Sequence, residues 1–284
     1  TWLPDAHYEA PTAGSVQLAA VLLKFGPYGF LRFAMPVFPA AVYELTPLFI
    51  ALSLIGIIYG GLVAMVQKQI KRLIAYSSVA HMGYIVLGLF ALNTQGVYGG
   101  WIQMINHAIV TGALFLVVGM IYERTHTQEI VDYGGVIHTM PLFSVFLVFF
   151  SLASVGLPGL NGFVGEVLAM IGAARVNIWY GVIAAAGVII AAIYMLWRVQ
   201  RVLFGPLVKD MVKGLNDLSL REVVVLVPLA FWAIFLGVYP QPFFERIDVS
   251  VQKYIEQIKS QEPRFAQDEK KQQNLFTVFG LKQP

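Results

Sequence analysis

Long apolar segments separated by short polar connections constrain this sequence more than any other feature. About seven segments have the roughly 20 apolar residues needed to cross the hydrocarbon core of a bilayer. Because lipid offers no partner for unpaired backbone N–H and C=O groups, such segments must be helices. The sequence therefore predicts an all-α, polytopic transmembrane helix bundle. Its spans lie near residues 12–33, 45–67, 73–92, 98–122, 140–173, 178–204 and 223–239.

The composition excludes a soluble globular domain and several kinds of site. Hydrophobic residues make up 58% of the chain and charged residues 12%, with a mean hydropathy of +0.70, whereas soluble domains carry about 25% charged residues. The absence of cysteine excludes disulfides, thiolate metal sites and cysteine-held iron–sulfur clusters. The sequence has no phosphate-binding loop, dinucleotide fingerprint or metal-ligand spacing. We therefore expect no cofactor and no metal on this chain, and its net charge of +3 gives no reason to expect nucleic acid.

Changes in residue type along the chain predict four parts. Residues 1–14 are expected to form a loop before the first span, and residues 15–242 form the transmembrane bundle. In residues 243–260, apolar side chains recur at helical spacing between charged ones, which predicts an amphipathic helix on the membrane surface or against a partner. Residues 261–284 lose this periodicity, so we expect a flexible tail there.

Basic residues are concentrated at one side of the predicted bundle. With seven spans, the opposite side has few cations before the tail, so the positive-inside rule assigns the basic side to the cytoplasm or its equivalent. The cations assigned to the basic side are Lys68, Lys71, Arg72, Arg124, Arg198, Arg201, Lys209, Lys213 and Arg221.

The fifth span contains a break. The apolar run at 140–155 is followed by GLPGLNG at 156–162, after which an apolar helix resumes. Proline removes a helical hydrogen bond and glycine tolerates unwound backbone, and a broken helix at membrane depth persists only where protein or a hydrated cavity satisfies its freed groups. Glu166 follows the break, where we expect the positive end of the second half-helix to favour its carboxylate. This coincidence favours an ion-transport site over a packing kink with a glutamate that reaches the interface.

Four ionisable residues lie inside long apolar segments: Lys24, His81, His107 and Glu166. A charge at the centre of a spanning helix costs roughly 2.5–3.5 kcal/mol, so such residues usually face a polar or hydrated interior. A buried amine can lose and regain a proton, and histidine can accept a proton on one ring nitrogen while it donates from the other. We therefore predict that these side chains form a proton path. Further polar residues could hold waters between them: Ser77, Ser78, Asn106 and Thr111.

Two simpler interpretations of these residues stay open. Lys24 could be paired permanently with a carboxylate that serves only helix packing. The histidines could be structural hydrogen-bonding groups, which is the commoner role of a single buried histidine.

Five short motifs are distinctive. They are WLPDAH at 2–7, KRLIAYSS at 71–78, SVAHMG at 78–83, YERTHT at 122–127 and NGFVGE at 161–166. Together they resemble the antiporter-like, proton-pumping subunits of respiratory complex I, an NADH:quinone oxidoreductase. The resemblance extends to about residue 242, and its best fit is the group called chain M or subunit 4.

The resemblance implies a fold of two inverted five-helix repeats, each with one broken helix, of which this chain holds mainly the second. It implies that Lys24 is the central lysine of the family's eighth helix. His81 and His107 are similar to histidines of the tenth and eleventh helices, and Glu166 to the carboxylate of the broken twelfth, where related subunits tend to carry lysine. The family's first repeat contributes a further glutamate and lysine that are not found here, and the sequence starts without Met. We therefore expect a C-terminal part of a longer subunit.

The function implied by the resemblance is proton translocation by a multi-pass membrane subunit, driven by redox chemistry elsewhere in the complex. NADH, FMN, iron–sulfur clusters and quinone would be bound by other subunits. The expected partners are other membrane-arm subunits, including paralogous antiporter-like ones, in the bacterial plasma membrane or else an organellar membrane. Two other functions stay open: a subunit of a multisubunit cation/proton antiporter, and a structural membrane subunit whose buried charges pair statically.

Overall fold

The computed structural model describes residues 2–207 and 209–260. Within these residues every regular element is helical, apart from an isolated bridge between Gln69 and Glu129. The predicted flexible tail at 261–284 lies outside the described residues. The α-helices are α1 (Trp2–Glu9), α2 (Thr12–Ala20), α3 (Phe25–Gly29), α4 (Met35–Val37), α5 (Pro39–Met65), α6 (Ile70–Phe90), α7 (Thr94–Thr125), α8 (Pro141–Val155), α9 (Asn161–Val176), α10 (Ile178–Leu203), α11 (Asp210–Lys213), α12 (Leu220–Val238) and α13 (Gln241–Ser260).

In the described part of the chain, six helical segments are long and apolar enough to span a membrane. They are Thr12–Val37, Pro39–Met65, Ile70–Phe90, Thr94–Thr125, Ile178–Leu203 and Leu220–Val238. The first segment contains α2, α3 and α4, which are connected by a short 3-10 helix at Leu22–Lys24 and a short π-helix at Phe30–Ala34. The predicted fifth span at 140–173 is present as two half-helices, α8 and α9. The prediction of an all-α membrane bundle with one broken helix is confirmed.

The segment expected to be a loop before the first span is instead largely helical, as α1 and the start of α2. His7 of α1 is fully buried, and the Ser15 hydroxyl donates to its carbonyl oxygen at 3.0 Å. An ion pair at 3.0 Å joins Asp5 to Arg72 at the start of α6. These tertiary contacts order the segment against α2 and α6, and the polar composition gave no sign of them.

α6 and α7 form the centre of the bundle. Most of their side chains are buried, and α7 packs against α2, α6, α8, α9 and α12. The outer helices α5, α10 and α12 leave many large apolar side chains exposed, as expected of helices that face lipid. Arg124 near the end of α7 binds both carboxylate oxygens of Glu222 at 2.7 Å and so ties α7 to α12.

Arg198 is a correction to the cations assigned to the basic side of the bundle. α10 continues to Leu203, so Arg198 lies more than one turn inside the helix. Its side chain is buried, and Nη2 donates to the Ser151 hydroxyl of α8 at 2.6 Å. The sequence pattern missed this because an arginine near the end of a predicted span is expected to reach the membrane surface.

α13 packs against α4, α5 and α7. One face of this helix, which includes Val251, Tyr254 and Ile255, is buried against the bundle. The Tyr254 hydroxyl donates to the Met35 sulfur at 2.6 Å. α13 therefore covers part of the bundle end at which the first span ends and α7 begins.

Candidate functional site

Lys24 lies where the first span departs from α-helical geometry. α2 ends before it, a 3-10 turn covers Leu22–Lys24, and α3 follows directly. Pro27 has no N–H to donate, so regular i→i−4 bonding cannot continue through this stretch. Such a short 3-10 piece within a helix often marks a functional position. The freed Ala19 carbonyl accepts a hydrogen bond from the Lys24 ammonium at 2.5 Å.

The second partner of the Lys24 amine is His107 on α7. The distance from Nζ to His107 Nδ1 is 2.6 Å, and both side chains are buried. When Lys24 is charged, its ammonium can only donate, so Nδ1 accepts and the ring hydrogen of a neutral imidazole is on Nε2. Among residues 2–207 and 209–260, no carboxylate lies within ion-pair distance of Lys24. The amine therefore contacts a group that can take its proton.

Glycines permit the backbone conformation of the break between α8 and α9. Gly156 follows the end of α8 with φ of 82°, and α9 begins at Asn161. A Cβ atom on Gly162 would lie 2.1 Å from the carbonyl oxygen of Ala153. Because every other residue carries a Cβ, only glycine lets the half-helices approach this closely.

Glu166 of α9 contacts side chains of α6 and α7. It is the sixth residue of α9, and its side chain reaches back to the break, where a Cβ atom on Gly156 would lie 3.3 Å from Glu166 Oε2. Its Oε1 lies 2.7 Å from His81 Nδ1 and accepts from Gln103 Nε2 at 3.1 Å. On the other side of the ring, His81 Nε2 lies 3.1 Å from the Ser154 hydroxyl.

A small cavity connects the two contacts. The ring centroids of His81 and His107 are 5.5 Å apart, and both rings line a cavity of about 10 Å³, which is near the minimum for one water. Asn106, Thr111 and Ser154 also line it. Within the described residues, His107 Nε2 and Asn106 Oδ1 have no hydrogen-bond partner, and buried polar atoms of this kind are usually satisfied by water.

These contacts place four side chains in a row, called here the buried row: Lys24, His107, His81 and Glu166. They come from the first span, α7, α6 and α9, so each of four separate elements contributes one residue to the row. The row combines an amine, two imidazoles and a carboxylate, each of which can gain or lose a proton.

A family model described as "NADH:quinone oxidoreductase/Mrp antiporter, TM" matches residues 1–193 of the chain. The chain belongs to this family. The whole buried row lies within the matched residues, and so does the break between α8 and α9. The resemblance inferred from the five motifs is thereby confirmed.

Curated relatives agree with this membership. The chain is 52% identical over 251 residues to NADH-quinone oxidoreductase subunit M of Rhodobacter capsulatus, a match that covers 88% of this chain and 49% of the relative. It is 46% identical over 255 residues to NADH-ubiquinone oxidoreductase chain 4 of Marchantia polymorpha, covering 90% of this chain and 52% of the relative. The chain therefore spans about half the length of the curated relatives it matches.

Solved structures share the fold. A chain of respiratory complex I from Thermus thermophilus with bound NADH superposes with a TM-score of 0.85 at 32% identity, covering 90% of this chain and 54% of that chain. A chain of the Mrp complex from Dietzia superposes with a TM-score of 0.81 at 19% identity, covering 90% of this chain and 57% of that chain. The Mrp likeness shows the antiporter-like fold alone, because its sequence identity is low.

The polar residues expected to hold waters divide into two groups in this family member. Asn106 and Thr111 line the cavity between the histidines. The hydroxyls of Ser77 and Ser78 instead donate to the Ile74 carbonyl of their own helix, at 2.8 and 3.1 Å. A serine in a helix often binds its own backbone in this way, so its position in an apolar run is a weak sign of a water site.

Two residues of the site were missed by the sequence analysis. Gln103 precedes His107 by four positions on α7, so the two share a helix face. A glutamine at that spacing from a buried histidine was a usable signal. Ser154 gave no such signal, because α8 contains several serines and the sequence does not distinguish one from the others. Among the described residues, no three His, Cys, Asp or Glu side chains lie close enough together to hold a metal ion.

His7 is a further buried titratable group that the sequence analysis left in a loop. Its ring stacks on Phe115 with centroids 4.7 Å apart, and in the described part of the chain neither ring nitrogen has a hydrogen-bond partner. Burial, together with the charges of Lys71 and Lys24, lowers the pKa of His7 to about 4. The imidazole is therefore neutral at neutral pH.

Proposed function

We propose that this chain translocates protons across a membrane as part of an NADH:quinone oxidoreductase. The observation that carries the proposal is the buried row, in which successive groups lie within hydrogen-bond distance or one water apart. Groups of these types at these distances can pass a proton from one to the next. The family match and the 52% identity to a subunit M support the same function.

The geometry suggests the order of transfer. His107 takes a proton from Lys24 on Nδ1 and releases its own from Nε2 into the cavity. The Ser154 hydroxyl lines the cavity and lies 3.1 Å from His81 Nε2, so it connects the cavity to the second ring. His81 then gives a proton from Nδ1 to Glu166 at 2.7 Å. Glu166 hands the proton over to the opposite side of the membrane.

Proton movement through the row needs an outside driving force, because each charge moved against 100 mV costs about 2.3 kcal/mol. In this proposal, oxidation of NADH and reduction of quinone, with FMN and iron–sulfur clusters in other subunits, supply that energy. Neighbouring membrane-arm subunits, including paralogous ones, transmit it to this chain. Relatives from a bacterium and a plant are compatible with the bacterial plasma membrane or an organellar membrane.

The second candidate function is a subunit of a multisubunit cation/proton antiporter. The family model covers Mrp antiporters as well, and the Mrp structure shares the fold. Two observations favour the NADH-linked function. The curated relatives named as NADH-quinone oxidoreductase subunits reach 52% identity. The broken helix carries Glu166, whereas by the resemblance described above antiporter subunits tend to carry lysine there.

The test is Glu166→Gln in inside-out vesicles, with proton uptake measured per NADH oxidised. Glutamine keeps an oxygen acceptor for His81 and Gln103 but does not take up a proton. We expect normal amounts of assembled complex and a lowered proton-to-NADH ratio. Glu44→Gln is the matched control, because Glu44 is an exposed carboxylate on α5 outside the buried row.

The three functions give different results. Unchanged pumping by an assembled Glu166→Gln complex would reject proton transfer through this row. Sodium-dependent proton flux without any need for NADH or quinone would favour the antiporter. Poor assembly with normal pumping per assembled complex would favour a structural role.

A further inference from the structure

Arg198 of α10 is a buried cation outside the buried row. Only 1% of its surface is exposed, and Nη2 donates to the Ser151 hydroxyl of α8 at 2.6 Å. Within residues 2–207 and 209–260, Nε and Nη1 have no hydrogen-bond partner and no carboxylate lies within ion-pair distance. The described helices themselves cover these nitrogens, so a surface acid of a neighbouring subunit would not contact them. Because arginine keeps its charge in proteins, a cation this deep in a membrane bundle indicates a functional position.

Two serines of α8 connect Arg198 to the buried row. Ser151 and Ser154 are three positions apart in α8, so their hydroxyls lie on one face of the helix. Ser154 lies 3.1 Å from His81 Nε2, whereas Ser151 accepts from Arg198 at 2.6 Å. Three residues correspond to about 4.5 Å of helix. The guanidinium is therefore about one helical turn away from the second imidazole of the row.

Tyr194 gives a second connection between Arg198 and the row. It precedes Arg198 by four positions on α10, so the two side chains share a helix face. The Tyr194 side chain is fully buried, and it lies close enough to Glu166 and to Arg198 for the charges of both to act on its hydroxyl. The guanidinium is therefore near the end of the row at which Glu166 accepts a proton.

Arg198 lies between His81 and the basic side of the bundle. At that side α6 begins and α10 ends, and the connection from α7 to α8 joins them through hydrogen bonds from Ile70 N to Gln128 O and from Gly135 N to Phe204 O. Arg198 is five residues, or about 7.5 Å, from the end of α10. His81 is eleven residues, or about 16.5 Å, from the start of α6. A proton that left His81 for the basic side would therefore pass close to the guanidinium.

We propose that Arg198 is an electrostatic barrier that keeps protons in the buried row from returning to the basic side, which rests on the proton translocation proposed above. Serine hydroxyls can pass protons, and buried N–H groups like those of Arg198 are usually satisfied by water. Without a fixed charge, Ser154, Ser151 and such water would give His81 a route to the basic side.

The guanidinium closes this route by repulsion. A fixed positive charge raises the energy of an excess proton, and single arginines exclude protons from some membrane pores in this way. At a separation on the order of 7 Å and an effective dielectric constant of about 20, the repulsion lowers the proton occupancy of the route about 50-fold. The contact of His81 with Glu166 at 2.7 Å stays available, so a proton on His81 moves to the carboxylate.

The test measures the passive proton leak of liposomes that contain the complete purified complex, without NADH and under a potassium diffusion potential set with valinomycin. Arg198→Gln removes the charge and keeps a hydrogen-bond donor for Ser151. We expect its leak per complex to rise about 10–100-fold and its ratio of protons pumped to NADH oxidised to fall. Arg198→Met is a second variant without charge, in case glutamine disturbs packing. Arg201→Gln is the matched control, because Arg201 is an exposed cation of the same helix.

A double variant distinguishes a leak through the row from loosened packing. Protons that leak from the opposite side through Glu166 pass His81, so Arg198→Gln combined with His81→Gln should leak as little as wild type. A leak that persists in the double variant would overturn the proposal, and so would tight liposomes with both single Arg198 variants. Poor assembly of both would assign Arg198 to packing and overturn it as well. The proposed function fails on a different result, unchanged pumping by Glu166→Gln.

Discussion

Lys24→Arg distinguishes a proton carrier from a fixed positive charge. Both side chains are cationic, but a guanidinium does not lose its proton in proteins. Arginine can therefore donate a hydrogen bond to His107 Nδ1 without passing a proton to it. The substitution thus keeps the charge and removes only the transfer step.

The expected size of the effect follows from the contact that is lost. The step from Lys24 Nζ to His107 Nδ1 spans 2.6 Å, and a positioned proton donor contributes about 10²–10⁴-fold to a transfer rate. Proton flux through this chain should therefore fall by at least about 100-fold. Stability should change by only about 1 kcal/mol, which is typical of one altered hydrogen bond, because the guanidinium can still donate to the Ala19 carbonyl.

The assay is proton uptake per NADH oxidised in inside-out vesicles, normalised to the amount of assembled complex. Lys68→Arg is the control, since Lys68 is exposed in the connection between α5 and α6. Lys24→Met provides a second variant without charge, in case arginine disturbs packing. Wild-type pumping by the arginine variant, combined with loss in the methionine variant, would refute the proton-carrier role and assign Lys24 a purely electrostatic one.

Three further predictions concern stability. Acidification from pH 7 to pH 5 should lower the free energy of unfolding by about 2 kcal/mol through His7. The pKa of His7 is about 4 in the folded chain and about 6.5 in the unfolded chain, so the unfolded chain binds more protons between these pH values. His7→Phe should remove that part of the pH dependence in thermal unfolding, and an unchanged pH profile would contradict the assignment. Gly162→Ala places Cβ 2.1 Å from the Ala153 carbonyl oxygen, so it should cost about 1–3 kcal/mol and reduce assembly on blue native gels. Arg198→Met should leave the thermal midpoint equal or higher, because the buried guanidinium has a hydrogen bond to Ser151 and no carboxylate partner in the described structure. A clear loss of stability would contradict this prediction.

The sequence predicted the bundle because the bilayer fixes how long an apolar helix must be. It also predicted the break, since proline and closely spaced glycines at 156–162 leave few alternatives at membrane depth. The contact between Lys24 and His107 was beyond sequence reasoning, because the residues lie 83 positions apart. Their meeting depends on how the first span rotates against α7, which packing decides.

Two errors show where local patterns fail. The polar residues of α1 suggested a loop, but the helix is ordered by contacts with α2 and α6 that composition does not reveal. Arg198 was counted among the cations of the basic side although it lies within the predicted span at 178–204, because sequence alone does not show that its side chain turns into the bundle.

The two ends of the buried row carry opposite charges when both are ionised, and this makes the row responsive to a small perturbation. Transfer of one proton from Lys24 to Glu166 leaves all four groups neutral, which relieves a desolvation cost of several kcal/mol per ion. The same transfer removes the attraction between the two charges, about 1–2 kcal/mol at a separation on the order of 10 Å. It also weakens the charge-assisted hydrogen bonds from His81 and Gln103 to the carboxylate. The ordinary pKa values of lysine and glutamate, about 10.4 and 4.3, oppose the transfer by about 8 kcal/mol more. Because the relief of desolvation for two ions is of similar size, a charge that a neighbouring subunit moves near one end can shift the proton. A lysine in direct contact with a carboxylate would lack this balance, since the attraction at contact distance would hold the charged pair in place.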